Sequence, residues 1–589
     1  MKDFVKFTLA SMLGFLIIGI VMFFFSIALI GSLAALGDTK PVMPREAILK
    51  VDMSEIILSE QTRETDPFSS IQGETRTNLG IYSAIRAINA AAYDPAIKYL
   101  YLKPDGASGG MAEIEEFRKA LKNFRAGGKA VIAFTDTPTN GSYYLASAAD
   151  KIFMSGYSGG MNMLTGFSSQ LVFLKDILDK LGVNVQLIRH GKYKSAGEMF
   201  IKNSISPENR HQNQVMVNSI WKSWADEMAS ARDLTTDEFN SLINGLRLNT
   251  PEDFLDNGLV DELLTKEQLR TRLCELYGAE RIEDIQQISL SDYASLKVLP
   301  NYKAKNKIAI IYADGNIVDG SDKQDVSGDR FTSIIADVRK DSTIKAVVFR
   351  VNSPGGSVVA SDKIKTEVDL LKSVKPVIAS YGSYAASGGY WISNNCDYIF
   401  SDASTLTGSI GVYSMIPEFS GTLKKAGVTM TTISSNSHGD MYSGFRALDK
   451  DEIAYMQASV ENIYSKFTSI VAQGRDLEVS YVDEIAQGRV WAGSDALEIG
   501  LVDSIGGIED AVIYAIAAAG GDIDLSQWQI AEFPKPLTTL EMIMETIGGS
   551  KASIFKGTQF ERIEKIFKGW DESQSGQIYA RIPYEIEIR

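Results

Sequence analysis

Cysteine is almost missing from this chain: Cys274 and Cys396 are the only two in 589 residues. No disulfide framework can hold such a protein, and no paired-cysteine metal spacing exists, so large apolar cores must carry stability. Histidine is equally scarce. His190, His211 and His438 are scattered without HExxH spacing, which removes the commonest zinc-hydrolase pattern and leaves no metal or cofactor to expect. Positive charge is also short: Lys+Arg 59 against Asp+Glu 74 gives a net charge of −15. That balance repels nucleic acid, and no basic patch offsets it.

What is present begins at the N-terminus. Phe7 to Leu36 contains no charged residue, and about 20 apolar residues suffice to cross a bilayer. Lys2 and Lys6 precede this run, which favours a cytoplasmic start and an extracytoplasmic remainder. Ser32-Leu33-Ala34 resembles a signal-peptidase site, but the run is longer than a signal-peptide core, so an anchor is expected.

The rest of the chain repeats itself. DPAIKYLYLKPDGASGG from Asp94 matches DSTIKAVVFRVNSPGGS from Asp341, a separation of 247 residues. The same separation carries Gly141-Ser142-Tyr143-Tyr144 onto Gly388-Gly389-Tyr390-Trp391, and Asp150-Lys151-Ile152-Phe153 onto Asp397-Tyr398-Ile399-Phe400. Gly258-Leu259-Val260-Asp261 then returns as Gly500-Leu501-Val502-Asp503. A register held this long points to duplication. The expected layout is a cytoplasmic start over 1–6, an anchor over 7–36, a linker over 37–46, repeats over 47–300 and 301–533, and a C-terminal tail over 534–589.

Each repeat alternates strand and helix. Ala346–Val351 and Val377–Tyr381 are short β-branched runs suited to buried parallel strands, and Ser361–Ser373 between them carries Ile364, Val368 and Leu371 at helical spacing. Ile453, Met456, Val460, Ile463, Phe467 and Val471 mark a longer amphipathic helix. An α/β fold with parallel strands and flanking helices follows.

Three glycine-rich stretches follow strands in the second repeat. Asn352–Ser357 (NSPGGS) could present backbone amides to an oxyanion. Tyr381–Trp391 (YGSYAASGGYW) reads as close packing by small residues. Ser404–Ser414 (STLTGSIGVYS) sets Ser409 in a glycine turn. The repeats differ here: Asn162 stands at the counterpart of Ser409, and Met441 at the counterpart of Lys194 in HGKYKSAGEMF. Each copy thus keeps half of a site, because a serine hydroxyl needs a base and a desolvated lysine can be one.

NSPGG, AASGGY, TGSIGV and GKYKSA together resemble the long, tandem form of the signal peptide peptidase A (protease IV) family, in the Clp protease/crotonase superfamily. The resemblance runs from the anchor through both repeats. It implies a serine–lysine dyad with Ser409 as nucleophile and Lys194, the lysine after Tyr193, as general base in preference to Lys192. It implies an oxyanion turn at Gly355 and Gly356, to which the amide of Ile410 is added. It further implies a homotetramer in the cytoplasmic (inner) membrane, its catalytic part on the periplasmic side, that cleaves signal peptides and other apolar peptides. Rival readings are a histidine base at His438, an acyl-CoA enzyme of the crotonase type, and an inactive membrane scaffold.

Overall fold

The computed structural model describes residues 6–8, 10–22, 41–63, 76–157, 160–536, 541 and 577–582. Residues 10–22 are helical, but no helix among the described residues is long and apolar enough to cross a membrane. The expected anchor over 7–36 lies partly outside the described residues.

Two parallel sheets form the body. In the first, the strands run in the order Glu262–Leu264, Lys151–Ser155, Val131–Thr135, Ile97–Lys103, Ala47–Asp52, Gln287–Ser289, each pair parallel. The second repeats this plan with Val377–Ala386, Ile344–Ser353, Asn306–Asp314 and Trp528–Phe533 side by side and parallel. It departs at one end, where Leu406–Gly408 extends the sheet and pairs antiparallel with Val490–Ala492. The β-branched run from Ile344 to Val351 is buried at every position but Lys345, as a strand covered on both faces requires.

Duplication is written into the hydrogen bonds as well. The Tyr143 hydroxyl donates to the Leu259 carbonyl at 2.8 Å, and Tyr390 donates to Leu501 at 2.8 Å. Asp150 accepts the Val131 amide, and Asp397 accepts that of Val377, both at 2.8 Å. Identical side-chain ties at matched positions are what two copies of one unit retain.

The helix Val358–Lys372 buries Ile364, Val368 and Leu371, as its spacing predicts. In Lys450–Arg475, Met456, Val460, Phe467 and Val471 face the core, whereas Ile453 lies in the first turn and is 38% exposed. One apolar core joins the repeats: Leu100, Phe117 and Met154 of the first cluster with Ile310, Val348 and Ile508 of the second. Arg350 is buried within this junction, its Nε 2.6 Å from Glu60 and its Nη2 2.7 Å from Glu116, all three side chains nearly inaccessible.

A third, smaller sheet positions the site. Its order is Val326–Ser327, Ile317–Val318, Gly355–Ser357, Tyr579–Arg581, Tyr413–Glu418, Asn184–Arg189. The last strand belongs to the first repeat and runs antiparallel to Tyr413–Glu418 of the second, with Arg189 opposite Tyr413. The loop after Arg189 is thereby delivered into the second repeat of the same chain. The tail contributes Tyr579–Arg581, a strand with no counterpart among the described residues of the first repeat.

Candidate active site

Lys194 sits in the loop after Asn184–Arg189. The Tyr193 amide donates to the Gln487 carbonyl at 2.9 Å, which pins this loop against the turn at Gln487-Gly488. A Cβ at Gly488 would lie 2.5 Å from the Lys194 Cβ, so the approach requires glycine there. Lys194 is completely buried, while Lys192 is exposed and lies over the Tyr193 ring. Burial alone pushes the Lys194 amine well below the ordinary lysine range, because a charge there would be stripped of water.

Two serines meet this amine. Lys194 Nζ lies 2.8 Å from Ser387 Oγ and 3.1 Å from Ser409 Oγ, and it donates to the Ser409 carbonyl at 3.2 Å. Both serines are fully buried. The expected pair, Ser409 and Lys194, is brought within hydrogen-bonding reach, and a second hydroxyl lies closer.

Ser387 occupies the turn between the strand Val377–Ala386 and the short helix Gly388–Trp391, with φ 56° and ψ −110°. That backbone state costs a non-glycine residue about 1–3 kcal/mol and persists where the surroundings impose it. A strained strand-to-helix turn flanked by small residues lifts a side chain out of the backbone's own shadow. The alanines and glycines around Ser387 supply that room: a Cβ at Gly389 would meet the Ser353 carbonyl oxygen at 2.6 Å.

Ser409 also has a positive φ, 48°, but it lies in the loop between the strands Leu406–Gly408 and Tyr413–Glu418. Its amide donates to the Arg489 carbonyl at 2.7 Å, and its hydroxyl lies 3.4 Å from the Gly488 carbonyl.

The glycine turn of NSPGGS stands beside Ser387. Gly355 has φ 97°, and a Cβ there would lie 2.6 Å from the Gly388 nitrogen and 2.1 Å from the Ala580 carbonyl oxygen. A carbonyl of the tail strand therefore rests between Gly355 and Gly388, next to Ser387. Gly356 is in register with Ala580 in the antiparallel ladder. Ile410, by contrast, packs in the apolar core, and its carbonyl accepts the Gly488 amide.

The histidine alternative meets different partners. His438 is exposed and its Nδ1 lies 3.0 Å from Glu452, whose carboxylate raises the imidazole pKa. Asp440 instead pairs with Arg446. His438, Asp449 and Glu452 are close enough to share a metal ion, but Glu452 already takes Arg446 at 2.7 Å as its counter-ion.

Sequence reasoning passed over Ser387, reading its segment as packing. The available signal was the same asymmetry that singled out Ser409: the counterpart of Ser387 in the first repeat is Asn140.

Comparison with known proteins places this chain among the serine peptidases. Residues 123–280 and 369–520 match the model of peptidase family S49, and the chain belongs to that family. It is 36% identical over 468 residues to Protease 4 of Haemophilus influenzae, spanning 77% of this chain and 75% of that one. Protease 4 of Salmonella typhi is 36% identical over 481 residues, covering 80% and 76%. The chloroplastic serine protease SPPA of Arabidopsis thaliana is 33% identical over 471 residues, covering 78% and 68%.

Proposed function

We propose that this serine protease uses Ser387 as its nucleophile, Lys194 as general base and Ser409 to hold the lysine amine. The observation that carries the choice is the carbonyl oxygen of Ala580 seated between Gly355 and Gly388, beside the strained Ser387 and within the strand pairing a substrate would make. The neutral amine takes the proton from Ser387 Oγ as it attacks a peptide carbonyl. The amides of Gly356 and Gly388 are the proposed oxyanion donors, with Gly355 giving the turn its shape. The lysine then passes its proton to the leaving amine and, after the acyl-enzyme forms, activates water at the same carbon.

Ser409 as nucleophile, the reading expected from the sequence, keeps one observation in its favour, its Oγ at 3.1 Å from the same amine. Replacement separates the two. Ser387→Ala should lower kcat/KM by more than about a thousandfold, whereas Ser409→Ala, which loosens the lysine, should cost about a hundredfold or less. The opposite ranking restores Ser409 as the nucleophile.

The substrates proposed are extended, largely apolar peptides, signal-peptide remnants among them. The strand pairing at Gly355–Ser357 supports an extended peptide, and the relatives named Protease 4 and SPPA support proteolysis. Anchoring through residues 7–36, an extracytoplasmic catalytic part and a homotetramer complete the proposal. Protease protection of the catalytic part in sealed inverted membrane vesicles, with the mass of the detergent-extracted particle, checks it; digestion of that part or a monomeric mass counts against it.

A further inference from the structure

The C-terminal tail enters the site sheet between two strands of the second repeat and runs antiparallel to both. Gly355, Gly356 and Ser357 face Arg581, Ala580 and Tyr579 on one side, and Tyr413 faces Tyr579 on the other. The ladder extends beyond the strand itself: the Ile582 amide donates to the Pro354 carbonyl at 2.9 Å, and Ser414 Oγ donates to the Gln577 carbonyl at 2.9 Å. Extended peptides bind to sheet edges in this manner, with main-chain bonds giving affinity and alternate side chains filling pockets.

The alternate side chains here are Ile578, Ala580 and Ile582. Ala580 is fully buried, its carbonyl oxygen against Gly355 and Gly388. Ile582, 4% exposed, fills an apolar pocket made by Met216 and Ile220 of the first repeat with Ala386, Leu406, Val490 and Ala492 of the second. The family match ends at residue 520, so this strand lies outside the matched peptidase repeats.

We propose that residues 577–582 are a resident peptide ligand of the catalytic groove, held by Ile582 in the pocket between the repeats, which an incoming substrate must displace. The strand also reads out the groove: a small residue at the carbonyl beside Ser387, and an aliphatic residue two positions further on. This rests on the assignment of the Ser387 cleft as the substrate groove.

Full-length Ile582→Asp is the direct test, because a carboxylate cannot enter the apolar pocket. A competing internal ligand lowers apparent affinity by the fraction of time it occupies the site. The variant should therefore bind a flexible peptide substrate with KM about threefold or more below the parent's while kcat stays unchanged, and the free peptide Gln577–Tyr584 should inhibit it competitively. An unchanged or higher KM, or no inhibition by the peptide, overturns the proposal.

Hydrogen exchange of the parent protein decides the matter if the variant does not fold. Amides of 578–582 should exchange slowly alone and faster once a saturating peptide aldehyde is added; equal protection in both states means the strand is a fixed part of the sheet and overturns the proposal. The displacement is read without turnover, so it stands or falls separately from the identity of the nucleophile, which the serine replacements decide.

Discussion

The two repeats make the same turn from strand into helix and use it for different ends. In the first, Thr139 caps the helix in a relaxed extended conformation, φ −110°, and Asn140 Oδ1 accepts the amides of Thr165 and Gly166. In the second, Ser387 holds φ 56° and ψ −110° and turns its hydroxyl to Lys194. One copy therefore fastens its own loop with a side-chain amide, and the other accepts backbone strain to turn a buried oxygen toward the Lys194 amine. Asn162 and Ser409 repeat the contrast one loop later: Asn162 donates to the Asn249 carbonyl, while Ser409 faces the amine. A duplicated fold supplied a spare frame, and the first repeat hands a buried lysine across to the two serines of the second.

Removing that amine is the hardest blow to the comparison. Lys194→Met should lower kcat/KM by more than about a thousandfold in peptide hydrolysis, and retained activity would return the base to the second repeat alone. The same variant sharpens the electrostatic account. Between the depressed folded pKa and the ordinary 10.5 of the unfolded chain, the unfolded state binds a proton that the folded state does not. Wild-type stability therefore rises with pH through this window. Lys194→Met should be more stable than wild type at neutral pH, with the gain shrinking toward pH 10.5 in parallel melts. Activity of the wild type should fall on acidification as Lys194 takes up its proton, and a flat profile across that titration counts against a lysine base.

Next in size is the bond between the repeats. Arg350→Met leaves Glu60 and Glu116 buried without their counter-ion, and chemical denaturation should register a loss of about 3–5 kcal/mol. A negligible loss would mean that the shared core alone couples the two copies.

The smallest effect concerns the turn itself. Asn140→Ser copies the second repeat's residue into the first, where no lysine waits. It should create no new nucleophile reactive to serine-directed probes and should cost about 1–3 kcal/mol, because the amides of Thr165 and Gly166 lose their acceptor. A second reactive serine would show that the turn alone suffices.

The strand–helix alternation and the duplication were legible because buried parallel strands and amphipathic helices leave periodic signatures, as from Ile344 to Val351 and in Val358–Lys372. The meeting of Lys194 with Ser409 was legible through the absence of each from the other copy, at Met441 and Asn162. Ser387 was hidden because a strained backbone has no signature of its own; alanine and glycine neighbours serve tight packing equally well, and only φ 56° and the 2.8 Å contact distinguish the two uses. The strand at Tyr579–Arg581 was illegible for another reason: three residues carry no periodicity, and their partner is a glycine turn more than 200 positions away.

Mapping the covalent adduct of a fluorophosphonate on the active protein tests the division of labour most directly. The adduct should fall on Ser387 and vanish in Lys194→Met, with Ser409 unmodified; an adduct on Ser409 with Ser387 untouched would contradict it.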